Sequence, residues 1–296
     1  MACHALLNLH EHVTSRQCSR RSVAAVMTVP MSPVISLDGA GKIYGDTSAL
    51  EAVSATIHPG QFVAIIGRSG AGKTTLLRCL ASATSVTRGS IRFGDVDLAT
   101  LHSRALRAHR RNVGMIYQQL TLVKRLRVID NVLVGRLGHL RGWRRWAALA
   151  RRFSATDRDI ALRCLQHMGL LARVWQRADT LSGGEQQRVA IARILAQQPR
   201  VILADEPVAS LDVLNGRRIM DSLRRVATTA NLTVVATLHH DDYARAYADR
   251  ILGLRAGRLV FNGAPADLDD ARLVEIFGEL PEPLDGHEAG TLARLA

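Results

Sequence analysis

The fold of this chain is decided by the stretch Gly67-Arg68-Ser69-Gly70-Ala71-Gly72-Lys73-Thr74-Thr75. It has the spacing G-x-x-x-x-G-K-[ST] of a phosphate-binding loop. The short apolar run Phe62–Ile66 precedes it and predicts a buried strand, and apolar residues at helical spacing follow it over Thr74–Leu80. This order of strand, turn and helix brings backbone N–H groups and the positive end of the helix dipole to one point. The sequence therefore predicts a binding site for a phosphate group.

The residue types of this loop suit that chemistry. Gly67, Gly70 and Gly72 let the backbone wrap closely around an anion, which a Cβ atom would obstruct. Lys73 is long enough to reach the β- and γ-phosphates of a nucleotide, and the hydroxyl group of Thr74 can bind Mg²⁺. Because the motif falls between a predicted strand and a predicted helix, a chance glycine-rich turn is the weaker interpretation.

The composition is that of a globular protein with a large core. Of the 296 residues, 47% are hydrophobic and 22% are charged, which suits one large or two small domains. The net charge is +13, and 36 of the 39 basic side chains are arginine. Such a charge is typical of proteins that bind nucleic acid or an acidic membrane face, but arginine-rich codon usage also produces it. The arginines are scattered, with local density at 141–152, and few aromatic residues lie among them, so the sequence does not favour a nucleic-acid platform.

The sequence also argues against a metal cluster, a secretion signal and a membrane span. The four cysteines form no C-x-x-C pair, and their spacing predicts neither zinc ligands nor a disulfide framework, which fits a reducing compartment. No run approaches the roughly 18 apolar residues of a membrane helix. Residues 1–33 lack the apolar segment of a signal peptide, so we expect a disordered extension there. We also expect a loose tail over 279–296.

The pattern of apolar residues predicts an α/β protein. From Leu120 to Thr180 strand signals give way to helical periodicity, which indicates a helical insertion between strands of the core. One helix of this insertion begins after Ser154 or Thr156, and either residue is a suitable N-cap. Val201–Ala204 and Leu232–Thr237 are apolar runs that predict two further buried strands. Ligands bind at such strand ends in α/β sheets, and the polar residues that follow these strands are Asp205, Glu206, His239 and His240.

A second helix N-terminus with anion-binding chemistry lies at Leu181-Ser182-Gly183-Gly184-Glu185. This stretch is similar to the signature of the ATP-binding subunits of ABC transporters, and the resemblance runs from about Val34 to Phe277 with the family's motifs in order. The resemblance implies a P-loop NTPase (RecA-like) core with an N-terminal antiparallel β subdomain and an inserted α-helical subdomain at about 120–180. The ATP-binding domain would then span 34–278.

The resemblance assigns nucleotide-binding roles to particular residues. It implies that Tyr44 stacks on adenine, with plain packing of this tyrosine as the alternative. It places the ATP phosphates in the loop 67–75, with Lys73 on the β- and γ-oxygens and Thr74 on Mg²⁺. It also implies that the segment Ser182-Gly183-Gly184 binds the γ-phosphate held by a second subunit.

The implied catalytic residues surround the same phosphates. Glu206 would polarise the attacking water, and His239 would contact the γ-phosphate; a surface carboxylate and a structural histidine are the alternatives. Asp205 would organise Mg²⁺ directly or through water, and Gln118 would contact Mg²⁺ and the attacking water. Gln119 is the alternative to Gln118 and lies one step further from the strand. These roles agree with phosphoryl transfer, which needs charge neutralisation and an aligned water more than covalent chemistry.

Within the family, the chain is most similar to the ATPases of phosphonate importers. The similar stretches are 118–138, 176–179, 205–212 and 247–257, with Val208-Ala209-Ser210 as a distinguishing run. The long segment 136–153, which contains Trp143 and Trp146, also fits this group. Tyr117, Glu185 and the N-terminal extension depart from it. The alternatives, with the same ATPase chemistry, are import of phosphate or phosphite, import of amino acids, and export.

The resemblance implies a homodimer of ATPase subunits that is peripheral to the inner membrane on its cytoplasmic side. Asp212 belongs to the loop that links the two ATP sites of such a dimer. The implied partners are integral membrane permease subunits and a periplasmic or lipoprotein substrate-binding protein, without nucleic acid. DNA-repair ATPases with a similar head separate the two motifs by long coiled coils, whereas here Leu181 follows Thr75 by 106 positions without heptads. A tandem ATPase that acts without a membrane would need two P-loops, and this chain has one.

Overall fold

A computed structural model describes residues 32–118, 121–140, 142, 152–209 and 211–281. The predictions for Gln119, Ser210, Trp143 and Trp146 lie outside these residues, as do those for the N-terminal extension up to residue 31 and for the tail beyond residue 281. Within the described part of the chain, no helix has the length and apolar character needed to cross a membrane.

Strands and helices alternate along most of the chain. The strands are β1 (Ile35–Tyr44), β2 (Thr47–Ile57), β3 (Phe62–Ile66), β4 (Arg88–Phe93), β5 (Val96–Asp97), β6 (Val113–Ile116), β7 (Val201–Asp205), β8 (Thr233–Thr237), β9 (Arg250–Arg255) and β10 (Arg258–Gly263). The helices are α1 (Lys73–Leu80), α2 (Ser103–Asn112), α3 (Val128–Leu133), α4 (Ala155–His167), α5 (Gly183–Ala196), α6 (Val213–Ala230), α7 (Asp241–Tyr247) and α8 (Asp270–Phe277). This alternation confirms the predicted α/β class.

A six-stranded sheet forms the centre of the protein, in the order β10-β9-β3-β8-β7-β6. The neighbouring pairs from β9 to β6 are parallel, and β10 returns antiparallel beside β9. All five residues of β3, of β7 and of β8 are buried, as expected for central strands of a parallel sheet with covered faces. The continuous apolar runs in the sequence are therefore the middle of this sheet.

A four-stranded antiparallel sheet packs beside the core, in the order β2-β1-β4-β5. Its apolar side chains share one buried cluster with α1 and one face of the central sheet. Members of this cluster are Ile35, Leu37, Ile57, Val63, Ile65, Leu76 and Leu77. The N-terminal strands thus support the helix that follows the phosphate-binding loop.

Between β6 and β7 the described elements are helical. Ser154 is the N-cap of α4, where its hydroxyl oxygen accepts a hydrogen bond from the N–H of Asp157, and Thr156 lies inside the helix. A buried ion pair joins Arg136 to Asp157 at 3.0 Å. Arg136 also donates to the carbonyl oxygen of Ala196 (2.9 Å), so this pair fixes the end of α5.

The parallel order brings the carboxyl ends of β3, β7 and β8 to one edge of the sheet. β3 leads into the loop that begins at Gly67, β7 ends in Asp205 before Glu206, and β8 ends two residues before His239. Ligands of open α/β sheets bind at this edge. The topology therefore gathers residues from three distant parts of the sequence.

Candidate active site

The loop between β3 and α1 has two positions that require glycine. Gly67 has a φ of 148°, and a Cβ atom there would lie 2.2 Å from the carbonyl oxygen of Leu254. Gly72 has a φ of 103°, and its Cβ atom would lie 2.5 Å from the carbonyl oxygen of Ala49. The loop is therefore packed closely against its surroundings, while the segment Arg68-Ser69-Gly70 is exposed.

Lys73 lies buried at the start of α1, and its ammonium group bonds to its own loop. Nζ donates to the carbonyl oxygens of Gly67 (2.6 Å) and Arg68 (3.0 Å). Burial lowers the pKa of Lys73, and the carboxylates of Glu206 and Asp205 oppose that shift. A cation held beside the N–H groups of a helix N-terminus suits a multiply charged phosphate chain.

Two hydroxyl groups hold the carboxylate of Asp205 at the end of β7. Thr74 Oγ1 donates to Asp205 Oδ1 (3.1 Å), and Thr237 Oγ1 donates to the same oxygen (2.9 Å). The structure thus brings Thr74 and Asp205, which the sequence predicts as Mg²⁺ ligands, within hydrogen-bond distance of each other. Hydroxyl and carboxylate oxygens are the donors that Mg²⁺ prefers, so this pair of residues fits the ion.

Glu206 follows Asp205 in an unusual backbone conformation. Its φ is 49°, in the left-handed region that non-glycine residues rarely adopt. Its N–H donates to Thr237 Oγ1 (2.9 Å), and its carboxylate contacts Nε2 of His239. The Glu206 side chain is 15% exposed and that of His239 is 39% exposed. The pair therefore lies at the open edge of the site.

A cavity of about 420 Å³ opens beside this pair. Gln118, predicted to contact the attacking water, lines this cavity together with Glu206 and His239. His240 also lines it, beside His239. The other lining residues belong to the segments that follow β7 and β8: Val208, Ala209, Leu211, Val213, Thr237, Leu238 and Tyr243. The cavity is large enough for a phosphate group and water next to the carboxylate.

Ser182 begins α5 through a capping box. Its hydroxyl oxygen accepts a hydrogen bond from the Glu185 N–H (3.3 Å), and the Glu185 carboxylate accepts one from the Ser182 N–H (2.9 Å). Arg173 Nε donates to the same carboxylate (3.2 Å). The hydrogen bond from the Ser182 N–H outweighs burial and lowers the pKa of Glu185. Ser182 and Gly183 are exposed, so this helix N-terminus is accessible to an anion.

Asp212 lies next to this helix N-terminus. It is the N-cap of α6, and its carboxylate accepts hydrogen bonds from the N–H (3.0 Å) and the side-chain amide (2.6 Å) of Asn215. Asn215 in turn packs against Gly184, where a Cβ atom would lie 3.3 Å from Asn215 Oδ1. Gln187 of α5 donates to the carbonyl oxygen of Pro207 (2.9 Å). The segment 182–184 is thus joined to the residues that follow Glu206.

Tyr44 ends β1 with its ring outside the buried core. The residue is 46% exposed, and Nζ of Lys42 lies 5.0 Å from the ring centroid. The ring is thus about half-buried, so plain packing stays the alternative to stacking on adenine. Its exposure leaves it accessible to a flat ligand.

Thr237 belongs to the site, although no sequence motif singled it out. It is fully buried and bonds to both Asp205 and Glu206. One feature of the sequence could have indicated Thr237: it places a hydroxyl group at the end of an apolar strand. A buried hydroxyl group needs a hydrogen-bond partner, so a polar neighbour is expected there. The strand pairing that supplies this partner, Asp205 opposite Thr237, is not visible in the sequence.

Comparisons with known proteins agree with these observations. The family described as ABC transporter matches residues 50–209. The phosphonates import ATP-binding protein PhnC of Rhodopseudomonas palustris (strain BisB5) is 46% identical over 244 residues, which cover 82% of this chain and 89% of that protein. The protein of the same name from Agrobacterium fabrum (strain C58) is 46% identical over 237 residues, which cover 79% and 81%.

Solved structures show the same fold. MJ0796, an ATP-binding cassette in a dimeric post-hydrolysis state bound to ADP and Pi, has a TM-score of 0.68 and 32% identity, covering 78% of this chain and 98% of that chain. CbiO1 of Clostridium perfringens, part of the ABC transporter complex cbiONQ, has a TM-score of 0.71 and 24% identity, covering 80% and 90%. At the identity of this second structure, the likeness concerns the fold alone.

Proposed function

This chain belongs to the ATP-binding subunits of ABC transporters, and we propose that it hydrolyses ATP to drive phosphonate import across the cytoplasmic membrane. The observation that carries the ATPase function is the convergence of Lys73, Asp205, Glu206 and His239 at one edge of the sheet. The cargo rests on the 46% identity to relatives named phosphonates import ATP-binding proteins. The proposed ATP-binding domain spans 34–278, with a helical subdomain at about 120–180.

ATP binds with its phosphates in the loop 67–75 and its adenine against Tyr44. The glycine backbone of the loop and the N–H groups at the start of α1 surround the phosphate oxygens. Lys73 exchanges its carbonyl partners for the β- and γ-phosphate oxygens. Charge neutralisation by a preorganised cation is the main contribution of such a site to phosphoryl transfer.

Thr74, Asp205 and Gln118 would hold Mg²⁺ beside the same phosphates. The support is the donor set, since Thr74 and Asp205 are hydrogen-bonded to each other through hard oxygen atoms. When bound, the ion neutralises negative charge on the β- and γ-phosphate oxygens.

Glu206 aligns the attacking water on the γ-phosphate and accepts its hydrogen bond. His239 lies against the Glu206 carboxylate and donates to the γ-phosphate when the nucleotide is bound. Gln118 lines the same cavity and orients the same water. These three residues supply the alignment that an in-line displacement requires.

Two copies of the chain form the working unit, with ATP between the P-loop of one and the segment Ser182-Gly183-Gly184 of the other. Two observations support this assembly: Ser182 and Gly183 are exposed in the single subunit, and a 32% identical cassette is dimeric. Asp212 lies beside the segment and links the two sites.

The dimer works as a peripheral membrane protein on the cytoplasmic side of the cell's inner membrane. Integral membrane permease subunits hold it there, and a periplasmic or lipoprotein substrate-binding protein delivers the phosphonate. The relatives' name specifies import and ATP binding, which supports a role for this subunit in an importer.

ATP hydrolysis by the transporter reconstituted with its permease tests the mechanism. We expect Lys73→Ala and Glu206→Gln each to lower turnover at least about 100-fold, and normal turnover in either variant would contradict the mechanism. Growth on a phosphonate as sole phosphorus source, after deletion of this subunit, tests the cargo. In a strain without a duplicate system, unchanged growth on the phosphonate would exclude phosphonate import. If the deletion instead abolished growth on phosphite or phosphate but not on the phosphonate, the cargo would be phosphite or phosphate.

A further inference from the structure

On the premise of the ATPase function proposed above, we propose that Thr237 is a positioning residue that orients both carboxylates of the site through one hydroxyl group. Thr237 lies outside the phosphate-binding loop, the signature segment and the acidic pair after β7. It ends β8, two residues before His239, and none of its surface is exposed. Its side chain therefore acts on the ligand through neighbouring residues, without touching it.

The Thr237 hydroxyl makes one donor and one acceptor contact with consecutive residues. Its proton goes to Asp205 Oδ1 at 2.9 Å, a shorter contact than the 3.5 Å to the carbonyl oxygen of Ala204. Its oxygen accepts the N–H of Glu206 at 2.9 Å. A hydroxyl group has one proton to donate and lone pairs that accept, so it can make both bonds at once and bridge the two residues. The hydroxyl group therefore connects the side chain of Asp205 to the backbone of Glu206.

The bridge fixes which oxygen of Asp205 is free. Thr74 and Thr237 both donate to Oδ1, so Oδ2 is the oxygen that would be available to Mg²⁺ or to a water on it. Asp205 and Thr237 are direct partners in the β7–β8 register, so strand pairing sets the distance between them. Threonine is also stiff at χ1, which holds the hydroxyl in one direction.

The same bridge supports the backbone that aims Glu206. A φ of 49° is costly for a glutamate, and such conformations persist where the surroundings hold them. The hydrogen bond from the Glu206 N–H to Thr237 is one of the contacts that hold it. With this backbone in place, the Glu206 carboxylate meets His239 at the mouth of the cavity. Removing the hydroxyl would therefore disturb the metal ligand and the water-aligning carboxylate together.

The test compares substitutions at two buried threonines of the same strand, in the full transporter. Thr237→Val removes the bridging hydroxyl with little change of shape, and Thr237→Ser retains it. Thr233→Val is the matched control: Thr233 is 2% exposed on β8 and its hydroxyl also accepts a backbone N–H, that of Gly60 at 3.0 Å. Gly60 lies before β3, at the opposite end of the strand pairing from Asp205. Thr233→Val thus measures the cost of a lost buried hydrogen bond without touching the site.

We expect Thr237→Val to lower kcat for ATP hydrolysis about 10- to 100-fold, the range for loss of a hydrogen bond to a charged group. We expect a similar increase in the Mg²⁺ concentration that gives half-maximal rate. In calorimetry, the Kd for ATP should rise in Mg²⁺ and stay unchanged in EDTA, because the loop 67–75 remains intact. Thr237→Ser should restore all three values, and Thr233→Val should lower thermal stability while leaving them at wild-type levels.

Two outcomes would overturn the role of Thr237. One is a Thr237→Val transporter with wild-type kcat and Mg²⁺ dependence; the other is an equal loss in Thr237→Val and Thr233→Val. Should Thr237→Val fail to fold, amide hydrogen exchange of the unsubstituted chain decides, since the Glu206 N–H must be protected if it is bonded to Thr237. Fast exchange at Glu206 would then contradict the bridge. An unsubstituted transporter without any ATPase activity would instead refute the proposed function itself.

Discussion

We propose that two helix N-termini of this chain bind phosphate, those of α1 and α5, and the structure holds them in different ways. At α1, Lys73 is buried, and Thr74 reaches across to Asp205 of β7, which Thr237 of β8 also holds. At α5, Ser182 is exposed, and its polar atoms are bonded within its own helical turn to Glu185. Residues of two central strands therefore hold the N-terminus of α1, whereas residues of its own first turn cap the N-terminus of α5.

This difference shows what each helix end can do in a single subunit. The α1 site has a buried cation, Lys73, and two carboxylates, one at the end of β7 and one directly after it. The groups that we propose for hydrolysis are therefore together in a single subunit. The α5 site has an exposed hydroxyl group and an exposed glycine, and its nearby carboxylates, Glu185 and Asp212, are engaged in capping hydrogen bonds. This arrangement fits the proposed contact with a phosphate that a second subunit holds. Preorganisation favours chemistry at the first site, and exposure favours assembly at the second.

The largest loss of activity is expected from a substitution at Glu206, and it tests whether the α1 site performs the chemistry. Replacing Glu206 with Gln should lower kcat about 10²- to 10⁴-fold, the range for loss of a positioned general base, while ATP still binds because the loop 67–75 is unchanged. ATPase assays measure kcat, and ATP-binding measurements on the same preparation give the Kd for ATP. Glu275→Gln, which removes an exposed carboxylate on α8, is the control and should keep the wild-type rate. Wild-type turnover of Glu206→Gln would remove the catalytic role from the α1 site.

Dimers that combine two different variants test directly whether the two helix ends act in different subunits. Gly183→Glu adds an anionic side chain where a Cβ atom meets open space, so the subunit should fold yet fail to bind the γ-phosphate of its partner. Lys73→Ala removes the other half of the site. Each homodimer should be inactive, whereas the heterodimer of the two variants should regain one intact site, formed by the α1 end of one subunit and the α5 end of the other.

ATPase assays on differently tagged, co-purified heterodimers measure this recovery. The control is each variant mixed with itself under both tags, which should stay inactive. If the two helix ends acted within one subunit, the heterodimer would be as inactive as the homodimers, and the proposed division between the sites would be wrong.

A third expected effect concerns how the α5 side is stabilised. Asp157→Asn breaks the buried pair with Arg136, which also holds the end of α5, and should cost roughly 3–5 kcal/mol of unfolding free energy at pH 7. Asp159→Asn on the same helix removes an exposed partner of Arg163 and should cost at most about 0.5 kcal/mol. Urea unfolding of the two variants beside the unsubstituted chain measures the difference.

The cost of Asp157→Asn should also depend on pH. Burial would raise the pKa of Asp157, but the hydrogen bonds from Ser154 and Arg136 outweigh it and hold that pKa below its usual value. The stabilisation is therefore present above the unfolded pKa of about 3.9 and is lost as the pH falls through the lower folded value. The difference between wild type and Asp157→Asn should shrink toward pH 3, and a constant difference would show that packing, not charge, is responsible.

The smallest effect is expected at the charge beside the signature segment. Arg173→Ala removes the cation that pairs with the Glu185 carboxylate beside the proposed γ-phosphate contact, so the ATP concentration for half-maximal hydrolysis should rise about two- to fivefold. The double variant Arg173→Ala/Glu185→Gln should return to the wild-type value, because the negative charge is then absent. Arg177→Ala, which removes a nearby exposed partner of Asp179, is the control. Failure of the double variant to recover would show that Arg173 acts through packing.

The residues of both helix ends could be predicted from the sequence because their chemistry is local. A glycine-rich turn between a strand and a helix determines the α1 site, and a serine with two glycines before a helix determines the α5 site. Ser154 was one of two possible N-caps of α4, and the hydrogen bond to the Asp157 N–H decides between them. The bridge through Thr237 could not be predicted, since it depends on which strand lies beside β7.

The sequence by itself determined the α/β class, and it located the two segments that we propose bind phosphate and the acidic pair after β7, because motif spacing and apolar periodicity are properties of neighbouring residues. The tertiary structure alone decided that β8 pairs with β7, that Thr237 therefore holds Asp205 and Glu206, and that Asn215 joins Asp212 to Gly184. Thr237 lies 32 positions from Asp205 and 31 from Glu206, so strand order brings them together, and helix packing brings Asn215 to Gly184. Strand order in a parallel sheet follows from crossover connections and burial of the whole chain, which no local pattern encodes.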